Sequence, residues 1–266
     1  MAQLNIKTGQ LLDGNKSLFE LFIPVDRYGN INNGHQGLGN IDVVRGNMTG
    51  VSGIRKYGLV EGTQSNGWST IWTPAADAGT ELYDWTHGNG TISVVSSDSG
   101  DNQTIRVEGL DANFDVVSED IVLTGDTPVV GATTFSRVNR AYISTNTSVN
   151  AGDIDVSIGG TLVTRIPADY GQTLQCFYTI PAGKTGYLVN LCLTTSKQQP
   201  MVAGIFKREE SGVFRVVSTL SLYQMQVIKP FQIPPAFPEK TDIELRIKGS
   251  TAADVSAEFE LILIDN

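Results

Sequence analysis

TISVVSSDSGDNQTIRVEGLDANFDVVSEDIVLTGDTPVVGATTFSRVNR, residues Thr91 to Arg140, repeats one physical pattern four times. Short β-branched runs at Thr91–Val95, Thr104–Glu108, Val116–Leu123 and Thr133–Val138 alternate with Gly, Asp, Asn and Pro, the residues that take turn geometry. Each run is about one strand long, and none has the spacing of a long helix. The stretch predicts an all-β, mainly antiparallel scaffold.

A second β-region follows from Gln172 to Asn266. Thr173–Ile180 and Gly186–Thr194 flank a turn at Pro181–Thr185, and Met201–Arg208 and Gly212–Thr219 flank Glu209–Ser211, which predicts two hairpins. The first would set Cys176 and Cys192 nearly opposite each other on adjacent strands. They are expected to stay reduced in a protein made in the cytoplasm. Ser218–Ile228 is the one stretch whose spacing also suits a helix, so an irregular or helical segment is expected there against a competing strand reading. Pro230, Pro234, Pro235 and Pro238 make Lys229–Glu239 a connection or a sheet edge. In Val255–Asp265 the residues Val255, Ala257, Phe259, Leu261 and Leu263 fall on one face, as an integral inner strand requires.

Ahead of Trp72 the chain differs in kind: twelve glycines lie between Gly9 and Gly67, among many asparagines. Such a stretch buries little by itself and gains order on contact. Its apolar cluster Leu18, Phe19, Leu21, Phe22 and Ile23 reads as an anchor to another surface, a neighbouring subunit being favoured over the same chain. The expected organisation is a Gly/Asn-rich arm over 1–71, a first β-sandwich over 72–168 and a C-terminal β-sandwich, jelly-roll-like, over 169–266. With 266 residues the chain is long enough for two such cores.

Composition narrows the function. A formal charge of −9 argues against a surface that tracks phosphates, so no nucleic-acid partner is expected. Arg137, Arg140 and Arg165, with Lys207 and Arg208, are the nearest approach to a basic patch and read as a solvated strand face. No run reaches the ~20 apolar residues of a bilayer span, and the N-terminal residues lack the pattern of a secretion signal.

Chemistry is not evident. Ala182-Gly183-Lys184-Thr185 has the ending of a phosphate loop, but Tyr178 stands where that loop needs glycine and a strand follows it. His35 and His87 are the only histidines and have no ligand-spaced partner. Asp98, Asp101, Asp111, Asp115, Glu119, Asp120 and Asp126 could by number supply a glycosidase pair or a Ca²⁺ loop, yet most sit where Asp is favoured in turns. No catalytic, cofactor or metal residues are assigned. Trp68, Trp72 and Trp85, all three tryptophans, lie close together with Tyr83. They read as a packing seam, with a glycan platform as the competing reading.

Several blocks, taken together, resemble a virion structural protein family of tailed bacteriophages, notably aquatic ones. They are Gly90–Ser97, Val107–Asn113, Ser118-Glu119 with Leu123–Gly125, Phe135–Ala141, Tyr178–Tyr187 and Pro238–Ile243. The resemblance runs from about Trp72 to Asn266 and implies a non-enzymatic component of the assembled particle, made in the host cytoplasm. Capsid decoration, neck or collar, and tail association all fit, with other virion proteins and further copies of the chain as partners. The alternative is a peripheral host-glycan binder or weak hydrolase built on the three tryptophans.

Overall fold

The computed structural model describes residues 3–5, 10–12, 41–77, 79–145, 148–223 and 226–266. The chain divides into two units, Met1–Gly53 and Ile54–Asn266. In the first, β1 (Gln3–Asn5) and β2 (Gln10–Leu12) pair antiparallel, and a turn at 41–47 is closed by Arg45 N–H donating to the Ile41 carbonyl. The anchor residues Leu18, Phe19, Leu21, Phe22 and Ile23, and His35, lie outside the described residues.

The remaining strands are β3 (Val51–Val60), β4 (Trp68–Thr70), β5 (Gly90–Ser96), β6 (Thr104–Leu110), β7 (Val116–Val122), β8 (Val129–Phe135), β9 (Arg137–Thr145), β10 (Ile154–Ile158) and β11 (Thr161–Ile166). They continue with β12 (Phe177–Thr179), β13 (Lys184–Thr195), β14 (Pro200–Arg208), β15 (Arg215–Tyr223), β16 (Val227–Pro230), β17 (Ala236–Phe237), β18 (Asp242–Gly249) and β19 (Val255–Asp265). The fold is all-β and antiparallel, in sandwiches, as the turn-punctuated β-branched runs require. Among the described residues no helix is long and apolar enough to cross a membrane.

One sandwich packs sheet β11-β10-β5-β8 on sheet β7-β6-β9. Its core is Ile92 and Val94 from β5, Ile105 and Val107 from β6, Phe135, Val138 and Ala141 at the β8–β9 corner, and Ile154, Val156 and Ile158 from β10. The corner comes from Ser136, whose N–H donates 2.7 Å to the Leu110 carbonyl, so that the run Thr133–Val138 is the end of one strand and the start of another. Glu119 on β7 closes the open side, accepting from Ala132 N–H at 2.7 Å and Thr133 N–H at 3.0 Å on β8. A carboxylate here occupies backbone donors of an edge that would otherwise template a foreign strand.

The other sandwich packs sheet β16-β13-β19-β3 on sheet β12-β18-β14-β15. β4 shares an edge of β18 with β12, and β17 shares an edge of β13 with β16. If each sharing pair is counted as one strand, eight strands run in the order 1-8-3-6 on one sheet and 2-7-4-5 on the other. That is the connectivity of a jelly roll. The sandwich expected over 169–266 is thus completed by β3 and β4, from ahead of Trp72. The second strand is interrupted at one point: Ile71 N–H donates to the Leu245 carbonyl, and Leu245 N–H donates to the Cys176 carbonyl. Everything between Ile71 and Cys176, including the whole of the other sandwich, is an excursion from that position.

Bulges set which side chains meet in the core. In β13 the register slips between Leu188 and Asn190, so Leu188 and Leu191 both face inward although an odd number of steps separates them. β19 lies between β13 and β3 and buries Val255, Ala257, Phe259, Leu261 and Leu263, the inner strand that its alternation predicts. β14 and β15 form the predicted hairpin around Glu209–Gly212.

Two expectations are corrected. Thr173–Ile180 and Gly186–Thr194 are not hairpin partners: β12 pairs with β18 and β13 with β19, because a jelly roll sends consecutive strands to opposite sheets. Cys176 and Cys192 are accordingly free thiols, Cys176 donating to the Ala257 carbonyl at 3.1 Å. Within Ser218–Ile228 the described parts 218–223 and 227–228 are strand, the end of β15 and the start of β16, since β14 and β13 offer their backbones a ladder.

Gly109 marks the tightest crossing between strands of the inserted sandwich: a Cβ there would lie 2.0 Å from the Arg137 carbonyl oxygen. Gly109→Ala is expected to cost about 1–3 kcal/mol of overpacking, read as a lower denaturation midpoint. The control Gly88→Ala, where a Cβ meets nothing within 4 Å, should leave that midpoint nearly unchanged.

Candidate functional site

On β18 the residues Ile243, Leu245 and Ile247 point into the jelly-roll core, which places Asp242, Glu244 and Arg246 on the opposite face of the sheet. A solvated face would be the ordinary outcome for such residues. Instead Glu244 is 0% exposed and Asp242 3%. The segment Tyr83–Trp85, the loop carrying Phe214 and the edge of the inserted sandwich roof them over.

Each carboxylate is fully engaged. Asp242 receives Arg137 through Nε at 2.8 Å and a second guanidinium nitrogen at 3.2 Å, Arg208 at 3.0 and 2.6 Å, and the Thr179 hydroxyl at 2.6 Å. Glu244 accepts from Trp85 Nε1 at 2.7 Å, from Arg246 at 2.7 Å and from the Thr70 hydroxyl. The arginines also lie over rings, Arg137 and Arg208 against Trp85, and Arg208 and Arg246 against Phe214. Forked donors suit this role, since a guanidinium satisfies a carboxylate in two places at once. Burial holds the nearby Tyr83 phenol well above its ordinary range and keeps His87 below it, with Arg137 adding to the His87 shift.

The tryptophan cluster belongs to this roof. Trp72 is 2% exposed, donates Nε1 to the Thr80 carbonyl at 3.0 Å, and meets Tyr83 and Phe177 edge-on. Trp85 is buried against Tyr83 and Phe177. Trp68, half-buried, meets Phe206 edge-on at 5.2 Å. The structure gathers Trp72 and Trp85 into one packed seam and leaves Trp68 at its margin.

Arg137 comes from β9 of the inserted sandwich and Asp242 from the jelly roll, so this ion pair spans the two. Further ties lie beside it. Arg165 on β11 holds Asp155 at 2.6 Å and Asp77 at 2.7 Å, which raises its pKa, the Asp155 hydrogen bond contributing most. Asn139 exchanges hydrogen bonds with the Thr179 backbone, and Gln175 donates to the Val138 and Asn139 carbonyls. Lys56 of β3 is buried and donates its ammonium to the Asn139 carbonyl. Desolvation pulls its pKa down to about 7, opposed by Cys176 and Glu108 and assisted by Arg140.

The acidic residues singled out by the sequence do not converge. Asp98 Oδ1 accepts from Gly100 N–H and Asp111 Oδ1 from Asn113 and Asp115 N–H, each within its own turn. Asp101 is buried, which opposes its ionisation, and four hydrogen bonds from Ala151, Ser96, Gly152 and Gln103 outweigh that and lower its pKa. Those donors occupy the lone pairs that a cation would need. Among the described residues no three His, Cys, Asp or Glu side chains are grouped as metal ligands. Of the charges expected on a solvated strand face, Arg137 and Arg208 are in the buried seam, Arg165 is held by Asp155 and Asp77, and Arg140 and the Lys207–Glu209 pair are at the surface. Sequence reasoning missed Asp242, Glu244 and Arg246; the alternation of charged and aliphatic residues in Asp242–Ile247 is the same whether the charged face meets water or a roof.

A cleft of 280 Å³ on the outer face of the β13–β19–β3 sheet is lined by Tyr57, Tyr170, Cys192, Thr194, Ser256 and Glu258, among others. Its carboxylate, Glu258, is bound to Arg55 at 2.6 Å.

No protein-family model matches this chain, and no curated protein matches it. Among solved structures, the chain aligns over 81% of its length with 73% of a chain from the infectious bursal disease virus Gt strain, at 14% identity and a TM-score of 0.22. A subviral particle of VP2 from the same virus aligns over 81% of this chain and 76% of its own, at 13% identity and a TM-score of 0.18. At such scores neither fold nor role follows from the likeness.

Two outcomes are expected of the seam. Arg137→Ala should lower stability by about 3 kcal/mol in chemical denaturation, as removal of one partner of a buried pair does. For Lys56 the folded pKa of about 7 lies below the unfolded value, so between those values the unfolded chain binds more protons and stability rises with pH. From pH 7 to 8, below the ordinary thiol range, the wild type should gain about 1 kcal/mol relative to Lys56→Met. Lys56→Met should be the more stable of the two at pH 7, because Gln175 still satisfies the Asn139 carbonyl.

Proposed function

We propose that this chain is a non-enzymatic structural component of a tailed-phage virion, a capsid decoration or a neck- or tail-associated protein, assembled through contacts with its own copies and with neighbouring virion proteins. The observation that carries the reading is the jelly roll with a second sandwich inserted into one strand and fastened to it by a buried charged seam. Such a body presents two β-faces in fixed relation, which a subunit placed repeatedly by symmetry requires. Jelly rolls recur in capsid proteins and also in lectins and cupins, so the fold supports the reading by analogy. The sequence blocks from Gly90 to Ile243 that resemble tailed-phage virion proteins favour the capsid-type use.

The acidic residues are used within the fold: Glu119 caps an edge, Asp101 pins two loops, and Asp242 and Glu244 hold arginines. The apolar cluster Leu18–Ile23 remains the proposed contact with other virion proteins.

Cryo-EM of purified particles, with mass spectrometry of their disassembled subcomplexes, tests the reading. The chain is expected in stoichiometric, symmetry-related copies, over the shell for a decoration protein or in a ring at one vertex for a neck or tail protein. Its absence from particles made by an infected host would overturn the reading.

A further inference from the structure

β15 ends the sheet β12-β18-β14-β15, and among the described residues no backbone hydrogen bond runs from Arg215–Tyr223 to anything other than β14. Other edges are covered, broken or charged, β7 carrying Glu119 and Asp120 and β11 carrying Arg165. Glu119 covers β8, Thr173 and Gly171 bond along β9, and Pro230 ends β16. β3 carries Arg55, which is paired with Glu258 on β19.

The composition of β15 fits an edge meant to be paired. Open edges ordinarily carry lysines, prolines or inward charges that deter another strand. After the bulge at Val217, the run Ser218-Thr-Leu-Ser-Leu-Tyr223 has no charged residue and no proline, and it pairs without a slip against Pro200–Ile205. Arg215, before the bulge, is held by Glu209 at 3.2 Å. Val202, Val216 and Tyr223 are exposed on the outer face of the same two strands, Tyr223 at 61%. The Lys229 ammonium of β16 donates to Ser218 Oγ at 2.9 Å, at one end of the run. From Thr219 to Tyr223 the run meets a copy of itself without opposed like charges.

We propose that Ser218–Tyr223 pairs antiparallel with the same run of a second copy of this chain, joining two jelly-roll sheets across a two-fold axis. The inference rests on the structural-subunit reading and names one of its self-contacts. Directly opposed residues must share a face of the sheet, so the axis passes through Leu220 or Ser221. In the first register Thr219 meets Ser221 of the copy; in the second, Ser221 meets Ser221 and Thr219 meets Tyr223. A six-residue edge is smaller than the interfaces that hold stable dimers. The pairing is therefore weak in dilute solution and is strengthened where a particle holds copies close together.

The test uses the full chain in sedimentation equilibrium over a concentration series, with amide exchange of the 218–223 peptide as the local readout. Thr219 and Ser221 are exposed, so the doubly substituted Thr219→Lys/Ser221→Lys and Thr219→Glu/Ser221→Glu chains keep the fold, as circular dichroism checks. The wild type should dimerise, with protection of 218–223 that grows with concentration. Each variant alone should associate at least about tenfold more weakly, and a mixture of the two should recover a heterodimer. Three results would overturn the proposal: a Lys variant that dimerises as the wild type does, a wild type with 218–223 unprotected at every concentration, or protection already complete in the monomer, which would mean that the edge is covered by its own chain. Incorporation of the Lys variant into particles separates the two ideas. If particles take up a chain whose edge does not pair in solution, the self-contact fails while the virion reading stands; if they take up neither chain, the virion reading fails.

Discussion

The dependence of this fold on one constraint is clearest at Asp242 and Glu244. Two carboxylates on the outer face of a β-sheet are out of water only because Arg137, Arg208 and Arg246, with Trp85 and Thr70, take the place of solvent. Ionised groups in such surroundings are tolerated only when each lone pair has a donor. The roof therefore cannot be assembled in part. Tyr83–Trp85 must lie down, the loop carrying Phe214 must close, and the inserted sandwich must deliver Arg137 to the correct point on β18. A desolvated ion pair is poor evidence for added stability, because hydrophobic residues of the same shape often do as well. Here its geometry ties together three segments distant in sequence, and it does so at the junction where the excursion from the jelly roll needs a defined orientation.

Around that junction the polar ties share a logic. Lys56 and Gln175 donate to the Asn139 carbonyl and Gln175 also to that of Val138, both on β9, while Asn139 exchanges hydrogen bonds with the Thr179 backbone on β12. These backbone groups lie where the inserted sandwich meets the jelly roll, and buried amides or carbonyls with no partner are costly. Polar side chains near 139 and 175 are thus a consequence of joining the two sandwiches.

The sequence made the strands legible wherever alternation and turns coincide. β5, β6, β7 and β19 lie at or within a few residues of the positions their patterns predict, and so does the β14–β15 hairpin. Topology was much less legible. A proline-initiated turn at Pro181 looks the same whether the chain turns back beside its own strand or passes to the opposite sheet, so β12 and β13 read as a hairpin that the jelly roll does not contain. The break after Ile71 has no local signature, because the continuation of that strand lies a hundred residues onward. Burial of charge was the other blind spot. Arg137 and Arg208 read as solvated because no short-range pattern distinguishes a guanidinium facing water from one facing Asp242.

Edges carry the remaining argument. In the inserted sandwich, backbone donors on the β8 edge are met by the Glu119 carboxylate and β9 is met by the backbone of Gly171 and Thr173. The jelly roll is treated differently along its length, with proline where β16 ends and an unbroken, uncharged run on β15. Edge protection has a cost in sequence choice, and a chain that meets it at β8 has the means to meet it at β15: a single lysine at Thr219 or Ser221 would suffice by the ordinary rule. The contrast separates two requirements within one subunit. At β8 the inserted sandwich occupies its edge with its own carboxylate, whereas β15 keeps an uncharged stretch of backbone open to the two-fold pairing proposed above.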